Sequence, residues 1–568
     1  MNSNDDKLTF EEKELSILRN AVDEITSRQG KKTMNSPEVR DIIEIVEDFL
    51  RSTKRICYGG TAINNLLPKN DQFYNKEIEL PDYDFYSPEP LQDAKNLADI
   101  YYNKGYTEVE AKSGMHAGTF KVFVNYIPVA DITYLPKDLY DRIMKDSSQV
   151  NGIYYCAINY LRMSMYLELS RPDGDVSRWE KVLKRLSLFN KHYPLRGKNC
   201  SIEDIQRLFE YGIKKTIMRG GDVSEEDIFI DNIEEKIFIT VKNSLINQNC
   251  VFFGAYANRL YLKNIKSIGK NSIPRIPDFD VLSEDPEATA RILKEQLSSI
   301  GVKDIKIVKH DGIGEIIAEH LEIRIGPESV VFIYKPLACH SYNEILIKDK
   351  KIRIATLDTM LSFYLAFLYG GRKYYNVERI TCMSEFLYRV QEKNRLRQKG
   401  LLKRFSIDCY GKQHTKEDIK AEKTNNFKKL KNKRGTKEWD WYFLRYVPHE
   451  EYEAQFEKKS KKKTNKKTKK KKTKKKKKTR KKKTKKKKKK TRRRKSNIFG
   501  IKLGGGKQGT GKFSSLAQRA MKNRGKVLKT PDVLKPAKQK QTLDQMLKSL
   551  NLNKPNLTIR IPGNNNNQ

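Results

Sequence analysis

One long pattern occurs twice in this chain, and it constrains the fold more than any other feature. Residues 57–67 read CYGGTAINNLL and residues 251–262 read VFFGAYANRLYL; residues 80–90 read LPDYDFYSPEP and residues 276–286 read IPDFDVLSEDP. Each copy continues through a helix and a pair of strands to a Tyr-x-Pro ending, ADITYLP at 130–136 and VFIYKP at 331–336. A period of about 200 residues is far longer than the repeat of a solenoid, so the pattern predicts two duplicated domains. Turn signals, short β-rich runs and helices alternate within each copy. The expected class is therefore α+β, with two tandem domains that each have a mixed sheet flanked by helices.

The remaining segments are set by local signals. Phe10 to Ser27 has helical apolar spacing, and Ser36-Pro37-Glu38 reads as a cap with proline at the first helical position. A second helix through Ile42, Ile45, Val46 and Phe49 leads into a short strand at Arg55 to Tyr58. A helix is expected over Leu91 to Lys104, strands over Thr119 to Tyr126 and Ala130 to Tyr134, and a helical stretch from Asn151 to about Asn190. The domains are expected at 1–50 (N-terminal helices), 51–195, 196–457 and 458–568.

The last of these differs in kind. Of the 38 residues from Lys458 to Lys495, 30 are Lys or Arg and none is acidic. Such a run repels itself and has nothing to bury, so a disordered Lys-rich tail is expected. Setting aside those 30 leaves 85 of the 115 basic residues against 70 acidic ones. A chain basic even without its tail favours a polyanionic partner, nucleic acid before membrane. The run can hold RNA through phosphates alone; nuclear targeting and simple solubility are equally open readings. The longest apolar stretch, Met360 to Tyr369, is too short to cross a bilayer, and residues 1–10 show no signal-peptide pattern. Seven scattered cysteines (57, 156, 200, 250, 339, 382 and 409) without a CxxC pair read as free thiols, and the histidines lack zinc-ligand spacing.

The chemistry is concentrated in the first copy. Gly59-Gly60-Thr61 precedes a helix, Asp82-Tyr83-Asp84 precedes Phe85, and Asp131 sits between Ala130 and Ile132 on a later strand. On a strand, residues i and i+2 share a face about 6.6 Å apart, so Asp82 and Asp84 project together while Tyr83 and Phe85 pack inward. With Asp131 from a neighbouring strand, three hard-oxygen ligands converge, a set suited to Mg²⁺ and able to hold two ions that activate a hydroxyl and neutralise a leaving phosphate. Glycines let backbone N–H groups approach a triphosphate, and Thr61 opens a helix whose N-terminus favours phosphate.

A GG[S/T] turn before a helix, a D-x-D strand and a third Asp resemble the DNA polymerase β-type nucleotidyltransferase superfamily. Within it the chain is most similar to the poly(A) polymerase catalytic subunits of poxviruses and giant DNA viruses, over roughly residues 50–400. INYLRMSMYLELSRP (158–172) and RWEKVLKRL (178–186) are similar to the segment that follows the catalytic strands in that group. One departure is the separation of Gly60 from Asp82, longer than usual, which an insertion around Pro68 to Pro81 explains. The resemblance implies adenylate transfer from ATP to mRNA 3′ ends with Mg²⁺ or Mn²⁺. It implies Asp82, Asp84 and Asp131 as catalytic metal ligands, and Gly59, Gly60 and Thr61 at the triphosphate. Lys181 joins the nucleotide-binding set through the helical face it shares with Arg178 and Arg185, a face that also reads as plain solvated surface. The virion or host cytoplasm would be its place. The poxvirus enzymes use a separate partner subunit; a built-in second domain and basic tail fit a chain acting alone or as a homodimer.

In the second copy Asp278 and Asp280 persist, but Gly60 is replaced by Ala255, and on the Tyr-x-Pro anchor Asp131 falls opposite Val331. Valine cannot ligate metal, so this copy is expected to be degenerate. The aromatic-basic runs Arg372-Lys373-Tyr374-Tyr375 and Trp439-Asp440-Trp441-Tyr442 fit either base stacking or core packing. Gly506-x4-Gly511-Lys512 resembles a P-loop, but Phe513 stands where the Mg²⁺ hydroxyl should be. The rivals are another terminal transferase, such as a uridylyltransferase or an oligonucleotide synthetase, and a non-catalytic RNA-binding scaffold.

Overall fold

A computed structural model describes residues 9–198, 200, 233–262, 278–347 and 349–450. The Lys-rich run and the P-loop-like Gly506–Lys512 segment lie outside the described residues.

Two helices open the chain, α1 (Phe10–Met34) and α2 (Pro37–Thr53). α1 runs past its expected end at Ser27 and begins at a Thr9–Glu12 capping box. α2 is amphipathic and buries Ile42, Ile45, Val46, Phe49 and Leu50. The first module then follows as β1 (Ile56–Cys57), α3 (Gly59–Leu66), β2 (Tyr83–Ser87), α4 (Pro90–Asn103), β3 (Val109–Ser113), β4 (Thr119–Val124), β5 (Ile127–Tyr134), α5 (Lys137–Lys145), β6 (Ser148–Val150) and β7 (Ile153–Tyr155). α6 (Ile158–Leu169) and α7 (Trp179–His192) complete it. The expectation of helix from Asn151 fails at its start. Asn151 and Gly152 take positive φ (51° and 80°) and turn the β6–β7 hairpin, and helix begins only at Ile158.

The second module repeats the plan: α8 (Ile233–Asn247), β8 (Val251–Phe253), α9 (Gly254–Leu262), β9 (Phe279–Leu282), α10 (Pro286–Ser299), β10 (Ile305–His310), β11 (His320–Ile325), β12 (Glu328–Tyr334), β13 (His340–Ile347) and β14 (Lys350–Ala355). After it come α11 (Leu357–Phe367), α12 (Val377–Lys393), β15 (Cys409–Tyr410), α13 (Lys416–Leu430), α14 (Lys437–Phe443) and β16 (Arg445–Tyr446). The sheets run β16-β3-β4-β5-β2-β1-β7-β6 and β10-β11-β12-β9-β8-β14-β13-β15. Without the outer strands β16 and β15 the two orders match strand for strand, and each mixed sheet is flanked by helices, an α+β architecture with an internal duplication. β16 lies within residues 196–457 but pairs with β3 of the first sheet, Arg445 opposite Lys112.

The core explains the order of the first sheet. Alternate residues of β2 and β5 (Tyr83, Phe85, Ala130, Ile132) are buried, and so is the α4 face Ala94, Leu97, Ala98 and Tyr101. Fully burying one such large apolar side chain contributes about 1.5–3 kcal/mol. Tyr101 also donates to the Ile42 carbonyl (2.6 Å), tying α4 to α2. The expected apolar stretch Met360 to Tyr369 falls on α11, whose side chains are nearly all buried. Among the described residues no helix is long and apolar enough to cross a membrane.

Expecting only free thiols was wrong. Cys200 is bonded to Cys382 and Cys339 to Cys409, while Cys57, Cys156 and Cys250 are buried thiols. Separations of 182 and 70 residues hid these pairs, which only the tertiary fold brings together.

Candidate active site

β2 and β5 pair in parallel, and their register sets Asp84 directly beside Asp131. Asp82 stands just before β2 and is exposed, whereas Asp84 and Asp131 are half-buried. Thr61 is buried in the first turn of α3 and donates its hydroxyl to the Asp82 carbonyl (2.7 Å), so it fixes the strand end that carries the first carboxylate. The Tyr58 amide donates to the Asp84 carbonyl (2.9 Å), holding the turn against β2.

The glycines are needed for space. Gly59 has φ +73°, and a Cβ there would run into the Asp84 carboxylate, 3.2 Å from its Cγ. A Cβ on Gly60 would lie 2.5 Å from the Tyr74 hydroxyl and 3.1 Å from a guanidinium nitrogen of Arg185. The turn, the carboxylates and α7 therefore meet at one point.

The electrostatics follow from three carboxylates crowded together. Burial, then Asp82 and Asp131, push the Asp84 carboxyl up to about 7, partly offset by Lys121 and Arg178. Partial desolvation by its surroundings, then Asp131, raises Asp82 as well. Lys121, opposite Asp131 in the β4–β5 pair, forms an ion pair with it. This excess of negative charge on hard oxygen donors fits divalent cations.

A cleft of about 610 Å³ opens beside the turn, lined by Phe73, Tyr74, Glu79, Lys181, Lys184 and Arg185, among others. Phe73 and Tyr74 belong to the expected insertion at Pro68 to Pro81, which is anchored by their amides donating to the Asn64 side-chain oxygen on α3 (2.8 Å each). Arg185 donates to the Tyr74 hydroxyl (2.7 Å) and lies over the Phe73 ring at 4.5 Å. Lys181 is exposed toward the cleft, and its ammonium is lowered chiefly by neighbouring Arg185. Arg178 pairs with Glu168 (3.2 Å). Sequence reasoning singled out Arg178, Lys181 and Arg185 but missed Lys121 and Tyr74. A lysine two strand positions after Thr119, facing an Asp in the next strand, becomes visible only once the β4–β5 register is known.

The second module keeps the scaffold of this site without its third carboxylate. Gly254 has φ +71° and presses on Asp280, a Cβ being 2.7 Å from its Cγ. The residue beside Asp280 is Phe332, so the Tyr-x-Pro anchor that pointed to Val331 was off by one. The β11–β12 register sets Glu322 opposite Phe332, where the first module has Lys121 opposite Asp131. An aromatic ring in place of a carboxylate cannot ligate a cation. Of the aromatic-basic runs, Tyr375 is buried and stacked on Phe367 (4.4 Å), with Tyr374 hydrogen-bonded to His320 (2.7 Å). Trp441 packs edge-on against Phe120 and Tyr134.

Residues 44–175 match the family model for the poly(A) polymerase catalytic subunit. A mimivirus protein (Acanthamoeba polyphaga mimivirus) named as a poly(A) polymerase catalytic subunit is 35% identical over 162 residues, 28% of this chain and 27% of its own. A protein of the same name from African swine fever virus, isolate Tick/Malawi/Lil 20-1/1983, is 33% identical over 171 residues, 29% of this chain and 36% of its own. The matched segment thus spans only about a quarter to a third of these relatives. The crystal structure of the Megavirus polyadenylate synthase superposes with a TM-score of 0.62 at 21% identity, covering 80% of this chain and 89% of that one. The resemblance to this viral family read from the sequence is borne out over the first module, and the fold beyond it follows the Megavirus structure.

Proposed function

We propose that this chain extends RNA 3′ ends with adenylate, the first module transferring AMP from ATP to a 3′-hydroxyl and releasing pyrophosphate. The observation that carries this reading is the register partnership of Asp84 and Asp131, with Asp82 adjacent and the Gly59-Gly60 turn pressed against Asp84. In this reading Asp82, Asp84 and Asp131 hold Mg²⁺ or Mn²⁺, which supplies activation of the hydroxyl and neutralisation of the developing phosphate charge. The other residues act by positioning, on which phosphoryl transfer depends. The amides at Gly59-Gly60 and the N-terminus of α3 receive the triphosphate. Lys181 and Arg185 line the cleft on the opposite side with positive charge, and Thr61 keeps Asp82 in place. The triphosphate stays oriented while the 3′-oxygen bonds to the α-phosphorus and the bond to pyrophosphate breaks.

The second module, with Phe332 at the third position, acts as scaffold, with the proposed domain bounds at 51–195 and 196–457. The virion or host cytoplasm is the proposed location, and the chain acts alone or as a homodimer.

Primer extension on a labelled RNA, with Mg²⁺ or Mn²⁺ and each nucleotide separately, tests the reading against Asp82→Ala/Asp84→Ala. Long products with ATP alone, absent from the variant, are expected. Extension with UTP instead would make the chain a uridylyltransferase. No extension by a folded protein would favour the non-catalytic scaffold.

A further inference from the structure

The segment that returns from the second module carries three aromatic rings that the proposed chemistry does not use. Phe427 on α13 and Trp439 and Phe443 on α14 stand together, with centroids 5.5 Å (Phe427–Trp439), 4.7 Å (Trp439–Phe443) and 5.5 Å (Phe427–Phe443) apart. The Arg434 guanidinium lies over Trp439 at 5.2 Å and Phe427 at 6.0 Å, and Lys423 over Phe443 at 5.9 Å. Neither helix has a buried residue, and Phe427 is 41% exposed. Docking does not require these rings, because Trp441 and β16 fasten the segment to the first sheet.

The charge around the rings is predominantly basic. Lys428, Lys429, Lys431, Arg434 and Lys437 are exposed with no acid among residues 428–437, while Lys433 pairs with Glu438 (2.6 Å) beside Trp439. Partly exposed rings interleaved with cations match a polymer that alternates flat bases with phosphates. An acidic polypeptide would use the charges and leave the rings idle.

The placement suits a path to the carboxylates. The Ser113 hydroxyl donates to the Tyr442 carbonyl (2.9 Å) and Lys423 to the Gly114 carbonyl (2.9 Å), holding the segment on β3. β3 lies two strands from β5 and Asp131, roughly 10 Å at the usual strand spacing. At its other end α13 approaches the Arg178 loop, where Lys416 acts on Asp175.

We propose that Phe427, Trp439, Phe443 and Arg434 form a stacking platform for single-stranded RNA, which grips the primer or product upstream of its 3′ end. The platform rests on the reading of the first module as a polymerase working on RNA. Its test is binding of fluorescent oligo(A) RNA to the full chain in EDTA without nucleotide, so that a failure of the polymerase reading appears separately as missing extension with RNA binding intact. Trp439→Ala is expected to weaken oligo(A) at least fivefold, to leave competition by polyglutamate unchanged, and to leave ATP binding as in the wild type. Trp439→Phe should keep most of the affinity. Lys428→Gln/Lys431→Gln should reduce the log–log salt slope by about 1.4, two single-strand phosphate contacts. Oligo(A) binding by Trp439→Ala equal to wild type, or equal losses of oligo(A) and polyglutamate, would overturn the proposal. Should Trp439→Ala melt early, an unchanged salt slope in the lysine variant would overturn it instead.

Discussion

Gly59 and Asp84 are in such close contact that any side chain at position 59 would enter the space of the Asp84 carboxylate, with Cβ 3.2 Å from its Cγ. The second module repeats the relationship between Gly254 and Asp280. The same substitution at the two glycines therefore asks which module does chemistry. Gly59→Ala and Gly254→Ala both force a non-glycine residue into φ above +70°, at a cost of order 1–3 kcal/mol. Both should lower the melting temperature. Only Gly59→Ala is expected to cut primer extension, by at least a hundredfold, because only there does the displaced carboxylate belong to a complete trio. Equal loss of turnover in both variants would assign the second module a catalytic part.

Metal affinity should depend on pH through Asp84. With its carboxyl raised to about 7, a proton and a divalent cation compete for the same oxygens near neutrality. Below pH 7 apparent Mn²⁺ affinity should fall about tenfold per pH unit, and binding should release a proton. Lys121 opposes the rise, so Lys121→Met should move the fall to higher pH. Titration calorimetry in buffers of different ionisation enthalpy reads both effects, and a flat affinity from pH 6 to 8 would refute the linkage.

Arg185 joins the cleft to the glycine turn, so its loss should separate nucleotide binding from structure. Arg185→Ala removes the hydrogen bond to Tyr74 and the cation over Phe73, and a raised KM for ATP of at least tenfold is expected. Tyr74→Phe retains the ring and should change KM by less than threefold. Lys181→Ala is exposed and should raise KM without lowering the melting temperature. Steady-state kinetics at saturating RNA distinguishes these cases.

The parts of the site that were legible in the sequence depend on short-range geometry. Two-residue alternation alone turns Asp82 and Asp84 away from Tyr83 and Phe85, and the glycine pair marks the tight turn that opens α3 against Asp84. Pairing across strands was not legible. Tyr-x-Pro anchoring found the right strand in the second copy but slipped one residue, to Val331 rather than Phe332, because only ladder register fixes which residue faces Asp280. The β6–β7 hairpin carried its own signal in Asn151-Gly152, which the helical pattern of the following residues obscured. The return of β16 to the first sheet and the cysteine pairs depend on contacts between residues far apart in sequence, which no local pattern encodes.

The second module should be the acid-labile part of the molecule. Burial holds His320 down to about 4 and His340 to about 3, below their usual value of 6.5. His320 is 1% exposed and His340 2%, and His320 has its ring committed to the Ala318 carbonyl and the Tyr374 hydroxyl. A histidine whose folded value is depressed stays neutral in the native state while its unfolded form takes a proton. Stability is therefore lost as pH falls from about 6.5 toward 4, and it is fully present above 6.5. Each buried ring contributes on the order of 2–3 kcal/mol to that loss. Denaturant unfolding of His320→Gln between pH 4 and 8 should show a shallower decline than wild type, although the variant starts lower at pH 8. If wild type and variant fell in parallel, the acid sensitivity would have to arise from other groups.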